Sequence, residues 1–384
     1  MIRRPPRSTR KESSAASDVY KRQEPVSACH AAPDGRIWSS QDSGTRERLR
    51  RRVVTIPGVL LGFVLFAILA LPALLIGGLV DVVLRRKWPT IRLVLYAVWW
   101  AGLESAGVLI GAALWLRYAP GGRLEGSASF RAHSRLQRWW ASNLVRGARF
   151  LLGLEHDFDD AAGLGKNGPL VVLARHGSQG DALLVAALLA ESGLRPRFIL
   201  KKQLLWDPCL DVVGHRIPNY FVDRDTADNR EEVANLGRLA AGMESDEVLV
   251  IFPEGTRFSK AKLDRAVDVV SRASPDRRES VQRLQHVLPI RTAGVLAVLQ
   301  NSPTSDLLFL NHVGVSDFRG LGDLWRNVPF PSPLRFRADL VRRQDAPTCD
   351  APEELVQWLD KRWELFDSWV GMNSPSRPGE TFPV

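Results

Sequence analysis

Cysteine is scarce and scattered: Cys29, Cys209 and Cys349 are the three in 384 residues, odd in number and far apart. That spacing excludes a disulfide framework and a CxxC-type zinc site, and it fits a reducing compartment. A Walker loop, a dinucleotide fingerprint and an internal repeat are also lacking, which removes the nucleotide-driven and solenoid classes. No cluster of His, Cys, Asp or Glu has metal-ligand spacing, so neither a metal nor a bound cofactor is expected. Acidic residues are in deficit, 42 against 52 basic, for a formal charge of +10. The surplus is local: Met1 to Arg52 holds 13 basic and 6 acidic residues, leaving +3 for the other 332. A nearly balanced remainder argues for a basic tail or a membrane-facing edge and against a surface that reads nucleic acid.

With 45% hydrophobic residues the chain can bury one or two ordinary cores. Residues 1–52 read as a basic, disordered tail with no apolar period. Its first 23 residues, MIRRPPRSTRKESSAASDVYKRQ, are rich in Arg and Ser like an organellar transit peptide. They also resemble translated sequencing-linker sequence, and no function is drawn from them. No apolar run follows Arg3-Arg4 closely enough for a twin-arginine signal.

Residues 53–118 read as a two-helix membrane anchor. Val53 to Val80 contains no charge and a single hydroxyl, Thr55, over 28 residues, longer than the roughly 20 needed to cross a bilayer. Leu93 to Leu116 is also of spanning length but carries Glu104, either a functional intramembrane carboxylate or one paired within the helices. Basic residues lie in the link (Arg85, Arg86, Lys87, Arg92) and on both outer flanks (Arg46 to Arg52; Arg117, Arg123). The flanks outnumber the link, so the positive-inside rule puts the rest of the chain in the cytoplasm. An interfacial or re-entrant hairpin, with bends at Pro57 and Pro72, suits the same charges equally. Within residues 119–154, Phe130 to Leu154 has Leu136, Trp140, Leu144 and Leu151 at helical spacing among five arginines. This reads as an amphipathic linker helix at the headgroup level, or alternatively as one packed on the following domain.

Residues 155–371 form the expected catalytic domain, and 372–384 a short tail. From Pro169 onward short β-branched runs alternate with helical stretches, the pattern of an α/β sheet flanked by helices. The strand Pro169 to Ala174 leads into His176-Gly177-Ser178-Gln179-Gly180-Asp181 and a helix, Asp181 to Ser192. A His and an Asp five apart at such a turn can form a general base, the carboxylate orienting the imidazole. Helix capping by Ser178 and Asp181 is the plainer explanation of the same residues. Further strands are expected at Arg197 to Leu200, Glu247 to Phe252 and Leu307 to Val315. Helices are expected at Asn229 to Met243 and Asp350 to Val370, the last opened by an Asp350–Glu353 capping box. Strand ends are where open α/β sheets bind ligands, so His176 should share a crevice with Pro253-Glu254-Gly255-Thr256-Arg257.

His176 and Asp181 with four residues between them, followed downstream by Phe252-Pro253-Glu254-Gly255-Thr256-Arg257 after an apolar strand, resemble the glycerolipid acyltransferases, the family that includes lysophosphatidate acyltransferases. The segment around Gly214 and Phe221 to Arg224 and the run His286 to Thr292 resemble its remaining blocks. The likeness departs at Pro289-Ile290-Arg291-Thr292, where the branch acting on lysophospholipids tends to read Pro-Arg-Thr. It covers about Gly168 to Val298 well.

The resemblance implies a membrane-bound enzyme with an acyltransferase-like sheet behind its helical pair. His176 would deprotonate a glycerol hydroxyl that attacks an acyl thioester, and Asp181 would orient His176. Glu254, Gly255, Thr256 and Arg257 would bind substrate, with Arg224 and Lys201 as further phosphate ligands. The donor would be acyl-CoA or acyl carrier protein, and the acceptor a lysophospholipid, 1-acylglycerol-3-phosphate first, giving phosphatidate. The partners would be membrane lipids, with no nucleic acid. A serine hydrolase is the rival: His176 to Gly180 falls one residue short of the G-x-S-x-G elbow, with Ser178 as nucleophile and His312 as a distant base. The same residues could also belong to a catalytically silent scaffold, or to a transacylase of the same fold that takes its acyl group from a phospholipid.

Overall fold

A computed structural model describes residues 44–159, 169–178, 180–222, 229–314 and 321–374. Most of the basic tail, Gln179, Asp317, Arg224 and most of the C-terminal tail lie outside these residues.

Two long apolar helices come first, α1 (Thr45–Val83) and α2 (Pro89–Tyr118), followed by α3 (Ser127–Leu152). Then come β1 (His156–Asp159), β2 (Leu170–Ala174), α4 (Asp181–Glu191), β3 (Arg195–Lys201), α5 (Pro208–Gly214) and β4 (Tyr220–Val222). They are followed by α6 (Asn229–Ala240), β5 (Glu247–Ile251), α7 (Lys260–Ala273), α8 (Arg278–Arg283) and α9 (Thr292–Asn301). The remainder is β6 (Asp306–Val313), α10 (Leu321–Asn327), β7 (Leu334–Val341) and α11 (Pro352–Asn373). The expected strands and helices are present with ends shifted by a few residues.

Among the described residues the sheet has seven strands in the order β1-β7-β6-β2-β5-β3-β4. β2 through β6 run parallel, β7 is antiparallel to β6, and β1 is parallel to β7. β2 and β5 are buried along their whole length, as continuous apolar runs in the middle of a parallel sheet must be. Alternate residues serve opposite faces. Val171, Leu173, Leu249, Ile251, Leu307 and Phe309 pack under α6, α9 and α11. Leu170, Val172, Ala174, Val248, Val250, Leu308 and Leu310 pack under α3 and α4. On α11 the expected face of Leu355, Leu359, Trp363, Phe366 and Val370 is buried. The Asp350–Glu353 capping box does not form, because the helix opens after Ala351 with no side-chain cap.

The apolar face of α3 is covered by α2 and α4, with Leu136, Leu144, Ala148 and Leu152 buried. This corrects the reading of a helix that lays that face on lipid. The face it leaves open carries Arg131, Arg135, Arg146 and Arg149 with Trp139 and Phe150. Glu104 is buried and accepts a hydrogen bond from Trp140 Nε1 at 3.0 Å, so it is paired between α2 and α3.

Two carboxylates lock the hairpin. Asp81 of α1 accepts from the Thr90 and Ile91 amides and Thr90 Oγ1, at 2.8 to 3.3 Å, capping the first turn of α2. At the other end Asp211 of α5 binds Arg51 at 3.0 Å and Arg52 at 2.9 Å, with His215 beside it. Burial would raise the Asp211 carboxyl, but hydrogen bonds from His215, Arg52 and Arg51 hold it down at about 2. The link is tied to the same domain: Arg86 donates to the Arg326 carbonyl and lies 4.0 Å over Trp325, whose Nε1 donates to Thr90 Oγ1. Because Arg51 is almost fully buried, Asp211→Asn removes the close carboxylate partner of a buried cation and leaves it only more distant charge such as Glu47 at 3.8 Å. Such a change costs about 3–5 kcal/mol, which thermal unfolding of the detergent-solubilised protein will report.

Candidate active site

The sheet registers assemble the site. Leu173 is level with Ile251 of β5 and Ala174 with Leu310 of β6. Continuing both registers brings His176, Glu254 and His312 together at the carboxyl-end rim of the sheet. His176 leaves β2 there with its ring against Phe252, centroids 5.0 Å apart.

His176 Nδ1 donates to Asp181 Oδ2 at 3.2 Å, and about one-fifth of the His176 side chain is exposed. Its Nε2 makes no hydrogen bond among the described residues, which leaves the basic nitrogen open to a substrate proton. Asp181 is fully buried and accepts from every side. The Ser178 amide (2.7 Å) joins His176 at Oδ2; the Ser178 hydroxyl and His312 Nε2 (2.9 Å) meet Oδ1. Burial alone would raise this carboxyl, but the His312 charge and the hydrogen bonds from His176, His312 and Ser178 outweigh it. They hold Asp181 well below the usual carboxylate range.

The capping expectation is reversed: α4 opens at Gly180 with no side-chain cap, and it is Asp181 that binds back to Ser178. The Ser178 hydroxyl is buried, donates to Asp181 and accepts from the Gly180 amide. It makes no hydrogen bond to either histidine, so the nucleophile-elbow reading lacks its base.

Glu254 lies under the rim instead of facing a ligand. It is buried, and its two oxygens accept from the His176 amide at 2.7 Å and the Leu288 amide at 2.9 Å. Burial pushes its carboxyl up to about 7, against the two amides and Arg175, which pull it down. Its role here is to clasp the His176 turn to the segment before α9. Gly255 has φ +67° and an added Cβ would stand 2.6 Å from Arg291 Nε, so the turn requires glycine. Lys262 Nζ donates to Thr256 Oγ1 and to the Arg257 carbonyl, both at 3.0 Å. The Arg257 guanidinium is partly exposed and makes no hydrogen bond or ion pair among the described residues. Lys201 ends β3 at the same rim, two strands and therefore about 10 Å from β2. Arg224 falls outside the described residues.

One group, Arg175, escapes sequence reasoning, and another, His312, is named by it with a different partner. Arg175 donates to the main-chain carbonyls of His312 (2.8 Å) and His286 (3.4 Å), bracing the rim from beneath. His312 partners Asp181 and not Ser178, and the alternation of β6, which sets it on the α4 side of the sheet with Leu308 and Leu310, is the signal that could have found it.

A carboxylate-oriented imidazole at the carboxyl rim of the parallel strands, open on its basic nitrogen, is an arrangement chemically able to take a proton from a hydroxyl. Residues 156–291, which carry both motifs, match the Acyltransferase family model. The chain is also similar to the solved 1-acyl-sn-glycerophosphate acyltransferase PlsC from Thermotoga maritima. The two are 15% identical, with a TM-score of 0.46 over 73% of this chain and 97% of that one. No curated protein matches the chain.

Proposed function

We propose that the protein is a membrane-associated acyltransferase that moves a fatty acyl group from an acyl thioester to the free hydroxyl of a lysophospholipid, with 1-acylglycerol-3-phosphate as acceptor and phosphatidate as product. The observation that carries this reading is the open Nε2 of His176 above a carboxylate fixed by four donors. His176 Nε2 takes the hydroxyl proton as the oxygen attacks the thioester carbonyl. The tetrahedral intermediate then expels the thiolate, which recovers the proton from the imidazolium. Arg257, with its guanidinium unspent, receives the acceptor phosphate.

The helical hairpin supports a position on the membrane. Leu61, Ile68, Leu71, Leu75, Ile76 and Leu79 of α1 are all about two-thirds exposed, a face suited to lipid. Both ends of the hairpin are tied to one α/β domain, at Asp211 and at Trp325 and Arg326. Those ends lie about 44 Å apart along α1 at 1.5 Å per residue, more than the roughly 30 Å hydrocarbon core. This favours a hairpin lying along one leaflet, with its basic flanks and link on the cytoplasmic side.

A lysolipid panel assayed with palmitoyl-CoA tests the reading. Transfer to 1-acylglycerol-3-phosphate is expected; transfer confined to acceptors without phosphate would contradict it. Arg257→Ala should raise KM for the phosphate-bearing acceptor about 10- to 100-fold, as loss of a charge-assisted contact does, while KM for palmitoyl-CoA stays near wild type.

A further inference from the structure

The geometry points to His312 as a positioning residue of the acyl-transfer site: through Asp181 it fixes the orientation of His176 and governs how much of the carboxylate's charge His176 feels. This rests on reading His176 as the base. His312 lies 131 residues beyond Asp181 in sequence and is 1% exposed. The one hydrogen bond of its side chain among the described residues runs from Nε2 to Asp181 Oδ1 at 2.9 Å. Its other nitrogen, Nδ1, is buried with no hydrogen-bond partner among the described residues.

A histidine kept only for packing would be a poor choice here. The strand is otherwise apolar on this face, with Leu308 and Leu310 before it and the Phe336 ring 5.7 Å away. An aliphatic or aromatic residue would fill the space without burying an unsatisfied nitrogen. The bond to Asp181 is what the histidine adds.

Its direction is forced. Asp181 is ionised and can only accept, so the proton sits on His312 Nε2 whether the ring is neutral or charged. Oδ1 is thereby occupied by His312 and the Ser178 hydroxyl, which turns Oδ2 toward His176 Nδ1. The backbone of His312 is held in turn by the Arg175 guanidinium at 2.8 Å. The ionisable groups around the pair are Glu254 from the turn after β5, Arg175 from the end of β2, Asp181 from α4 and His312 from β6. Of these, His312 is the one besides His176 that touches Asp181. Donation to Oδ1 withdraws charge from Oδ2; without it the carboxylate would stabilise the His176 imidazolium more strongly.

The test compares wild type, His312→Phe and His312→Gln as full-length protein in detergent, with palmitoyl-CoA and 1-oleoylglycerol 3-phosphate. Glutamine can place an N–H near the position of Nε2, and phenylalanine cannot. His312→Phe is expected to lose about 10- to 100-fold in kcat, the scale of a charge-assisted hydrogen bond, with KM for both substrates little changed. The limb on which kcat/KM rises with pH should move to higher pH. His312→Gln should restore most of the rate and return the limb toward its wild-type position. Wild-type kcat and limb in His312→Phe, or equal losses in both variants with an unmoved limb, would overturn the inference.

Where the variants fail to fold, or where the wild type transfers no acyl group to any lysolipid, histidine-ring ¹⁵N NMR decides on the wild type and Asp181→Asn. The second case also refutes the functional reading on its own. A protonated His312 Nε2 whose signal shifts in Asp181→Asn supports the coupling; an unprotonated Nε2 overturns it.

Discussion

Replacing His176 with alanine is expected to lower kcat for acyl transfer by about 10³-fold, inside the 10²- to 10⁴-fold range of positioned base catalysis. In the proposed mechanism the imidazole is the proton acceptor, and of the other described rim groups Asp181, Glu254 and His312 are all buried and not open to substrate. Substrate binding should survive, since the Arg257 guanidinium is untouched. Folding should survive too, because Glu254 holds His176 through its main-chain amide, which alanine retains. Initial rates, KM for both substrates and a melting curve on one preparation check all three. A variant with wild-type rate would sink the mechanism, as would loss of transfer in Ser178→Ala with His176→Ala still active.

Asp181→Asn should cost a comparable amount, about 10²- to 10⁴-fold in kcat/KM, the range between weakened base catalysis and the loss seen for carboxylates that orient an imidazole elsewhere. The asparagine nitrogen must face one of two pairs of donors. The Ser178 amide cannot reverse, so the nitrogen goes to the Oδ1 side, opposite the Ser178 hydroxyl and His312. Both can turn to accept, and the Nδ1 of His312, with no hydrogen-bond partner among the described residues, gives it room to exchange tautomers. The orientation of His176 therefore largely persists while the charge beneath it is lost. The imidazolium is then less stabilised, and the rising limb of the pH–rate profile should move to lower pH, opposite to the shift expected for His312→Phe. Measuring kcat/KM across about pH 5 to 9 separates loss of charge from loss of structure, which would leave the limb in place.

The two rim segments are legible because each is contiguous: a buried apolar strand followed at once by its chemistry, His176 to Asp181 in one case and Pro253 to Arg257 in the other. Their meeting follows from the tendency of parallel strands to gather ligands at one edge. What stays hidden in the sequence is set by pairing. His312 reaches Asp181 because β6 lies beside β2 at a register that no local pattern announces. The inward turn of Glu254 depends on the Leu288 amide, 34 residues on. The strand β7 is not among the expected ones, although Leu334, Phe336 and Ala338 alternate with exposed Arg335 and Arg337, a half-buried pattern that its arginines disguise. The face of α3 turns toward protein instead of lipid because α2 and α4 both need an apolar partner, and amphipathicity alone does not say which surface is chosen.

The last helix has a consequence for biosynthesis. Asp367 of α11 accepts from the consecutive amides of Gln285, His286 and Val287 at 2.6 to 3.2 Å. Trp363 of the same helix donates to the Leu288 carbonyl at 2.9 Å. The next amide in that run, Leu288, is the one that turns Glu254 toward His176. The geometry of the base is therefore completed by residues that follow His176 in the chain and leave the ribosome after it. The apolar hairpin precedes the sheet in the chain and emerges before it, so the centre is assembled only after that hairpin has been made.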